Sequence, residues 1–159
     1  MDLKAPILAV VLAAAFTGCR GTDASVNEYA TLGAAEAAGA VARGWLPSLM
    51  PKGATSIQEA HDLDTNARWL SFRAPEEELR ALAAQLTPLS YHDMRSVAPR
   101  APRWTRIEWP WELDSSFQHT PRASIGYFRD ASQSYCYALE WSTGNAWGWS
   151  CRPPSRSAA

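Results

Sequence analysis

Apolar residues run unbroken from Ala5 to Phe16 behind Met1-Asp2-Leu3-Lys4. About a dozen residues are too few for a permanent transmembrane helix and suit the core of a secretion signal. Beyond them the pattern becomes amphipathic. Leu32 to Arg43 is Ala-rich and predicts a helix, with Thr31 as N-cap and Gly44 as stop. Gly33 and Gly39 inside it each cost about 1 kcal/mol relative to Ala. Thr55–Leu63 and Ala67–Arg73 are strand-like around Asp64-Thr65-Asn66, where Asp starts turns and Asn tolerates positive φ. A three-residue loop sets Leu63 opposite Ala67 and Asp62 opposite Arg68. Both faces of this hairpin carry apolar residues, which predicts cover on both sides. Pro75 opens the clearest helix. Glu76, Glu77 and Glu78 complement its positive end, Leu79, Leu82, Ala83 and Leu86 form an apolar stripe, and Pro88 ends it.

Between these elements, Trp45 to Pro51 reads as an apolar loop packed on the core, since two prolines exclude helix and central strand. Met94 to Arg106 reads as irregular. Ile125–Arg129, Ser134–Trp141 and Ala146–Cys151 predict a three-strand meander. Its last hairpin contains a conflict. Pairing Leu139 with Trp147 gathers every large residue on one face and sends Cys136 and Cys151 to opposite faces. A shift of one residue sets Cys136 opposite Cys151, within reach of a disulfide. Burial of the aromatic residues favours the first register. Export of the chain favours the second, and a bulge would reconcile them.

Composition adds location. Phe16-Thr17-Gly18-Cys19 is a lipobox: small residues admit the peptidase, and the Cys19 thiol takes the lipid. The expected organisation is a signal peptide at 1–18, a lipidated tether at 19–28, one α+β domain at 29–152 and a disordered tail at 153–159. Buried acyl methylenes contribute about 0.8 kcal/mol each to membrane attachment. Arg20, rather than an Asp, follows Cys19, which leans toward the periplasmic face of the outer membrane over the inner. The net charge of −1 gives no case for nucleic acid. The chain holds 8 tryptophans, all beyond the signal, and cysteines only at 19, 136 and 151.

The candidate working surface follows from those tryptophans. Arg103, Trp104, Arg106, Trp109 and Trp111 cluster in a segment that also follows Arg95 and Arg100. Trp and Arg dominate binding hot spots and stack on flat ligands or sugar faces. The competing reading buries the tryptophans and leaves the arginines solvated. Catalytic signals are absent: there is no G-x-S-x-G, phosphate loop or CxxC. His61, His92 and His119 lack ligand spacing. Asp62-Leu63-Asp64-Thr65-Asn66 opens like a calcium loop, then places Ala67 where Gly is required and Arg73 where Glu should be, so a turn explains it better. No metal, cofactor or catalytic residue is assigned.

Gly44-Trp45-Leu46-Pro47 with Leu49-Met50-Pro51, then Ala54, Ile57, His61-Asp62-Leu63-Asp64-Thr65-Asn66 and Trp69-Leu70-Ser71-Phe72, resembles bacterial lipoproteins with a YbbD-type head domain. The run ending Trp147-Gly148-Trp149 is similar too. The resemblance implies a small α+β lipoprotein domain and carries over no catalytic residue. Cys136 and Cys151 are not part of that pattern. The combined expectation is an α+β fold, a small antiparallel sheet of hairpins and meander with two main helices packed on it. Its leading function is non-catalytic binding of another envelope component at the Trp/Arg surface. A glycan or peptidoglycan module and a hydrolase of unlocated site are the alternatives.

Overall fold

The computed structural model of the chain describes residues 23–98, 102–113, 122–132 and 134–151. The expected signal peptide, Cys19, Arg100, His119 and the tail at 153–159 lie outside the described residues. Seven antiparallel strands form one open sheet in the order β1-β2-β3-β7-β6-β5-β4. They are β1 (Ala24–Thr31), β2 (Thr55–Asp62), β3 (Ala67–Arg73), β4 (Thr87–Pro88), β5 (Ile125–Asp130), β6 (Tyr135–Glu140) and β7 (Asn145–Ser150). The helices are α1 (Leu32–Ala37), α2 (Glu76–Ala83) and α3 (Tyr91–Val97). The architecture is α+β. No helix among the described residues is long and apolar enough to cross a membrane.

Each face of the sheet carries its own core. On one, α1, α2 and the Trp45–Pro51 loop cover Ile57, Leu70, Phe72, Tyr135, Tyr137 and Leu139. On the other, α3 and the segment after it cover Ala60, Trp69, Cys136, Ala138, Trp147 and Trp149. Apolar residues on both faces of the β2–β3 hairpin had predicted this double cover. Strands buried on both sides cannot show a single hydrophobic alternation.

That burial resolves the register of the last hairpin. Neither expected register forms: Cys136 faces Trp149, Ala138 faces Trp147 and Leu139 faces Ala146, across a four-residue turn. The large residues divide between the faces, and each meets a small partner. Tyr137 stands opposite Gly148, where an added Cβ would come within 2.6 Å of the Tyr135 ring. Trp149 and Cys151 share a face, so Cys136 and Cys151 are diagonal neighbours. They form a disulfide with Cα atoms 5.7 Å apart, and the hairpin needs no bulge to make it.

Other expectations shift for local reasons. Residues 24–28, assigned to the tether, belong to β1, which pairs with β2 from Ala24↔Asp62 to Thr31↔Thr55. Thr31 caps α1, accepting from the Ala34 amide at 3.2 Å, but the helix stops at Ala37 rather than Arg43. Gly39 adopts φ +76° and turns the chain there. In the first hairpin Asp62 faces Ala67 and His61 faces Arg68, so the expected Asp62–Arg68 pairing is one residue out of register. Asp62 instead accepts from the Asp64 and Thr65 amides at 2.9 and 3.3 Å, and Asn66 takes φ +60°. The side chain that resembled a calcium ligand closes a turn. Met94, expected in irregular chain, is fully buried within α3. Ser90 caps that helix, accepting from the Asp93 amide at 3.0 Å, a short S-x-x-D signature that the sequence reading passed over. In the first turn of α2, Glu78 reaches past the helix end and accepts from the Gly53 amide at 2.7 Å.

Candidate functional site

The segment from Arg103 to Trp111 crosses one edge of the second core. Arg103–Thr105 forms a 3-10 turn, in which the Thr105 hydroxyl donates to the Pro102 carbonyl at 2.9 Å. Thr105 and Ile107 point inward and are buried, so Arg103, Trp104, Arg106 and Glu108 point outward and are exposed. Two sheet tryptophans fasten the covering chain. The Trp147 indole donates to the Glu108 carbonyl at 2.8 Å, and the Trp149 indole to the Val97 carbonyl at 2.7 Å. Trp104 is 37% exposed and Trp111 39%, unusual values for so large an apolar ring. Trp104 stands edge-on to Trp69 at 5.4 Å. Trp109 is half-buried and stands edge-on to Trp149 at 6.0 Å, so it serves the core more than the surface. Of the five residues singled out, Arg103, Trp104, Arg106 and Trp111 face solvent, and Trp109 does not do so fully.

Beside this segment lies an open groove of about 650 Å³, at the Thr55 end of β2. Its floor is the outer part of the sheet face, with Gln58, Ser71 and Trp147 among the lining residues and Arg106 and Glu108 from the covering segment. Trp104, Trp109 and Trp111 do not line it.

A second cavity, of about 580 Å³, opens at the other end of the β2–β3 hairpin. The two motifs of the sequence meet here. Arg43, Trp45 and His61 form a stack, with the guanidinium 3.9 Å from the Trp45 ring and the two rings 4.3 Å apart at 22°. The Arg68 guanidinium donates to the Gly44 carbonyl. His61 Nδ1 meets Glu59 Oε1 at 2.6 Å, and Asn27 donates to Glu59 Oε2 at 2.8 Å. Glu59 is fully buried, so both carboxylate oxygens have protein partners where water is excluded. With Nδ1 committed, Nε2 is the His61 nitrogen left for anything entering the cavity. Asp62 also lines the cavity through the turn, but its Oδ1 is occupied by two amides. His61 and Asp62 point to opposite faces, and the partner of His61 is Glu59, two residues back on the same face. A carboxylate among inward positions of β2 was the available signal for that pair.

A third polar cluster also escaped the sequence reading. Arg122 joins the buried carboxylates of Glu112 and Glu140, meeting Glu140 Oε1 at 2.7 Å. Its hydrogen bonds to the accepting Glu112 carboxylate hold the Arg122 guanidinium above its ordinary pKa. Glu140 Oε2 accepts from Thr143 at 2.6 Å, which links the cluster to the β6–β7 turn. Burial pushes the Tyr127, Tyr135 and Tyr137 phenols well above their usual range. Among the described residues no three His, Cys, Asp or Glu side chains converge as a metal site.

Residues 23–73 match the YbbD head domain. The head domain therefore comprises β1, α1, β2 and β3, together with the Gly44–Pro51 loop. It includes the stack, the Glu59–His61 pair and both hairpin motifs. The run ending Trp147-Gly148-Trp149 lies beyond it, as do the disulfide and the Arg103–Trp111 segment. The head domain points to a bacterial envelope protein. No curated protein and no solved structure matches the chain.

Proposed function

We propose that the chain is a lipid-anchored, non-catalytic protein of the bacterial cell envelope that binds another envelope component through its Arg103–Trp111 face. The observation that carries the reading is the exposure of Trp104 and Trp111 on the segment that also exposes Arg103 and Arg106. Large aromatic rings left in water beside guanidinium groups are characteristic of binding surfaces. The polar clusters support a binding role over a hydrolytic one. Glu59 and His61 are bonded to each other, Trp45 stacks on the imidazole, and no hydroxyl or thiol among the described residues hydrogen-bonds His61. Cys136 and Cys151 are joined and offer no thiolate. Cys19 carries the anchor in this reading, and the outer membrane facing the periplasm is its location.

The test is capture from crosslinked cells with the full-length chain, beside Trp104→Ala/Trp111→Ala and Cys19→Ser variants. The reading expects a bound component that the double tryptophan variant loses at unchanged expression. It also expects incorporation of a fatty-acid label that Cys19→Ser abolishes. Capture that survives loss of both tryptophans removes the surface, and labelling that survives Cys19→Ser removes the anchor.

A further inference from the structure

The groove at the Thr55 end of the sheet brings two carboxylates, two guanidiniums, an amide and an indole together. Glu28 faces Gln58, Gln58 faces Ser71, and Ser71 faces Trp147 across four neighbouring strands. All four therefore lie on one sheet face, in one row. With strands about 4.8 Å apart, that row extends roughly 14 Å. Val26, Ala60 and Trp69, two residues along on the same face, belong to the second core. The row is where that core ends and the sheet face opens. Arg73 and Asn145 pair in the next row, and Arg106 and Glu108 form the wall opposite.

Three properties narrow the occupant. The first is charge. Two carboxylates, Glu28 and Glu108, balance two guanidiniums, Arg73 and Arg106, so the groove has no net attraction for an anion or a cation. The second is hydrogen-bonding capacity. Gln58 Nε2 donates to Glu28 at 3.2 Å, and Ser71 donates to Gln58 Oε1 at 3.4 Å. These bonds, the first exposed and the second half-buried, orient the side chains in line but leave one amide hydrogen and several lone pairs unused. The third is the aromatic end of the row, where Trp147 is fixed through its indole nitrogen to the Glu108 carbonyl. The carboxylate and amide of the row, with the Arg73 guanidinium in the next, present paired donors and acceptors to adjacent hydroxyls, at the edge of the largely buried Trp147. We propose that this groove binds a short neutral oligosaccharide lying across the strands. The proposal rests on the reading of the chain as an envelope binding protein and adds to it a second site beside the exposed face. It shares Arg106 with the exposed face and does not require Trp104 or Trp111.

The experiment is calorimetric titration of the full-length lipoprotein, in a sugar-free detergent, with neutral chito- and cello-oligosaccharides and with anionic polygalacturonate. The neutral oligosaccharides are expected to bind saturably, and polygalacturonate is not. Gln58→Ala should weaken binding about tenfold, the effect of losing a hydrogen-bonding side chain to a ligand, and Gln58→Ala/Arg73→Ala should weaken it further. Trp104→Ala should stay within about twofold of the parent protein. Unchanged circular dichroism and unfolding midpoint establish that the variants are folded. Failure of every neutral oligosaccharide to bind overturns the proposal, as does a preference for polygalacturonate. Binding that depends on Trp104 but not on Gln58 or Arg73 also overturns it, and moves the sugar to the exposed face. If capture from cells depends on Trp104 and Trp111 while no oligosaccharide binds, the binding-protein reading stands and only the groove assignment fails.

Discussion

The two ends of the β2–β3 hairpin place polar side chains in opposite situations. At the turn end, Glu59 is wholly out of water, and each of its oxygens is taken by His61 or Asn27. Arg43, Trp45, Arg68 and His61 are likewise held by stacking or by backbone carbonyls. At the Thr55 end, Glu28, Gln58 and Ser71 touch one another through long bonds and remain in reach of solvent. Burial makes the difference. A buried charge is tolerated only when its partners are complete, so the turn end is rigid and its groups are committed. An exposed ladder carries no such penalty, so its groups keep capacity for a ligand. The head-domain motifs therefore mark the part of the hairpin that fixes the fold, and the plainer residues of the other end carry the site proposed for sugar.

Removing His61 tests the turn end most severely. In His61→Ala, Glu59 Oε1 loses its partner while the carboxylate remains buried, and urea unfolding should show a loss of about 4 kcal/mol. Replacing both groups, as Glu59→Leu/His61→Ala, should restore much of that stability, because the uncompensated charge has gone. A double variant as unstable as the single would mean that the stack on Trp45, rather than the buried carboxylate, sets the cost. Reducing the Cys136–Cys151 bond is the next largest step. It closes a loop of separation 15 and should contribute about 3 kcal/mol. Cys151 lines the turn-end cavity and Asn145 the groove, at opposite ends of β7. Hydrogen exchange after reduction should therefore quicken first at Ser150 and Arg68, with Asn145 and Arg73 following later. A reduced protein that frays first at Asn145 would mean that the Glu59–His61 end holds without the disulfide.

How far the sequence foretold this division depends on which physical signal each part carries. The α2 helix was legible because Pro75, three glutamates and a Leu stripe agree. The double cover of the first hairpin was legible because both alternating sets of its positions hold apolar residues, although the shifted register puts Ile57 with Leu70 and Phe72, and Ala60 with Trp69. Registers were not. The first turn holds the four residues between Asp62 and Ala67 instead of three, and the last hairpin closes on Glu140 and Asn145, one residue from the register that paired Leu139 with Trp147 and two from the one that paired Cys136 with Cys151. A single buried face would have exposed the error by misplacing a whole row, but two buried faces accept either placement. Gly148 stands opposite Tyr137 and leaves room for the Tyr135 ring, a glycine-beside-tyrosine fit that neither expected register contained. The Glu59–His61 pair was hidden because a carboxylate two residues from a histidine shares its face only once the segment is known to be a strand. The open groove has no linear motif at all. Its row draws one residue from each of four strands, and only the sheet order brings them together.

Alkaline pH offers a smaller effect at the turn end. Tyr135 is completely buried beneath Arg68 and Glu59, its hydroxyl has no hydrogen-bond partner, and burial raises its pKa from the usual 10. In the unfolded chain the phenol ionises near pH 10, while in the folded chain it keeps its proton. Stability from this group is therefore fully present below pH 10 and falls as pH rises above it, by about 1.4 kcal/mol per unit. Tyr135→Phe should remove that increment from the alkaline unfolding curve and leave stability at pH 7 equal or slightly greater. Phenolate absorbance that develops at pH 10 in the folded protein would show that the Tyr135 site is wetter than its packing implies.

The smallest expected effect belongs to the open end. Gln58→Ala/Ser71→Ala removes two links of the exposed ladder and no core contact, so its unfolding free energy should lie within about 0.5 kcal/mol of the parent. The contrast with His61→Ala then becomes quantitative: two side chains on one strand pair, a few residues apart, differ nearly tenfold in what they contribute to stability. A loss above about 1.5 kcal/mol in the ladder variant would mean that the row is structural, comparable to a buried hydrogen-bonded pair. Its side chains would then be too committed to exchange partners with a sugar. A negligible loss keeps them available, since a group that binds a ligand through its own donors and acceptors must not already need them for folding.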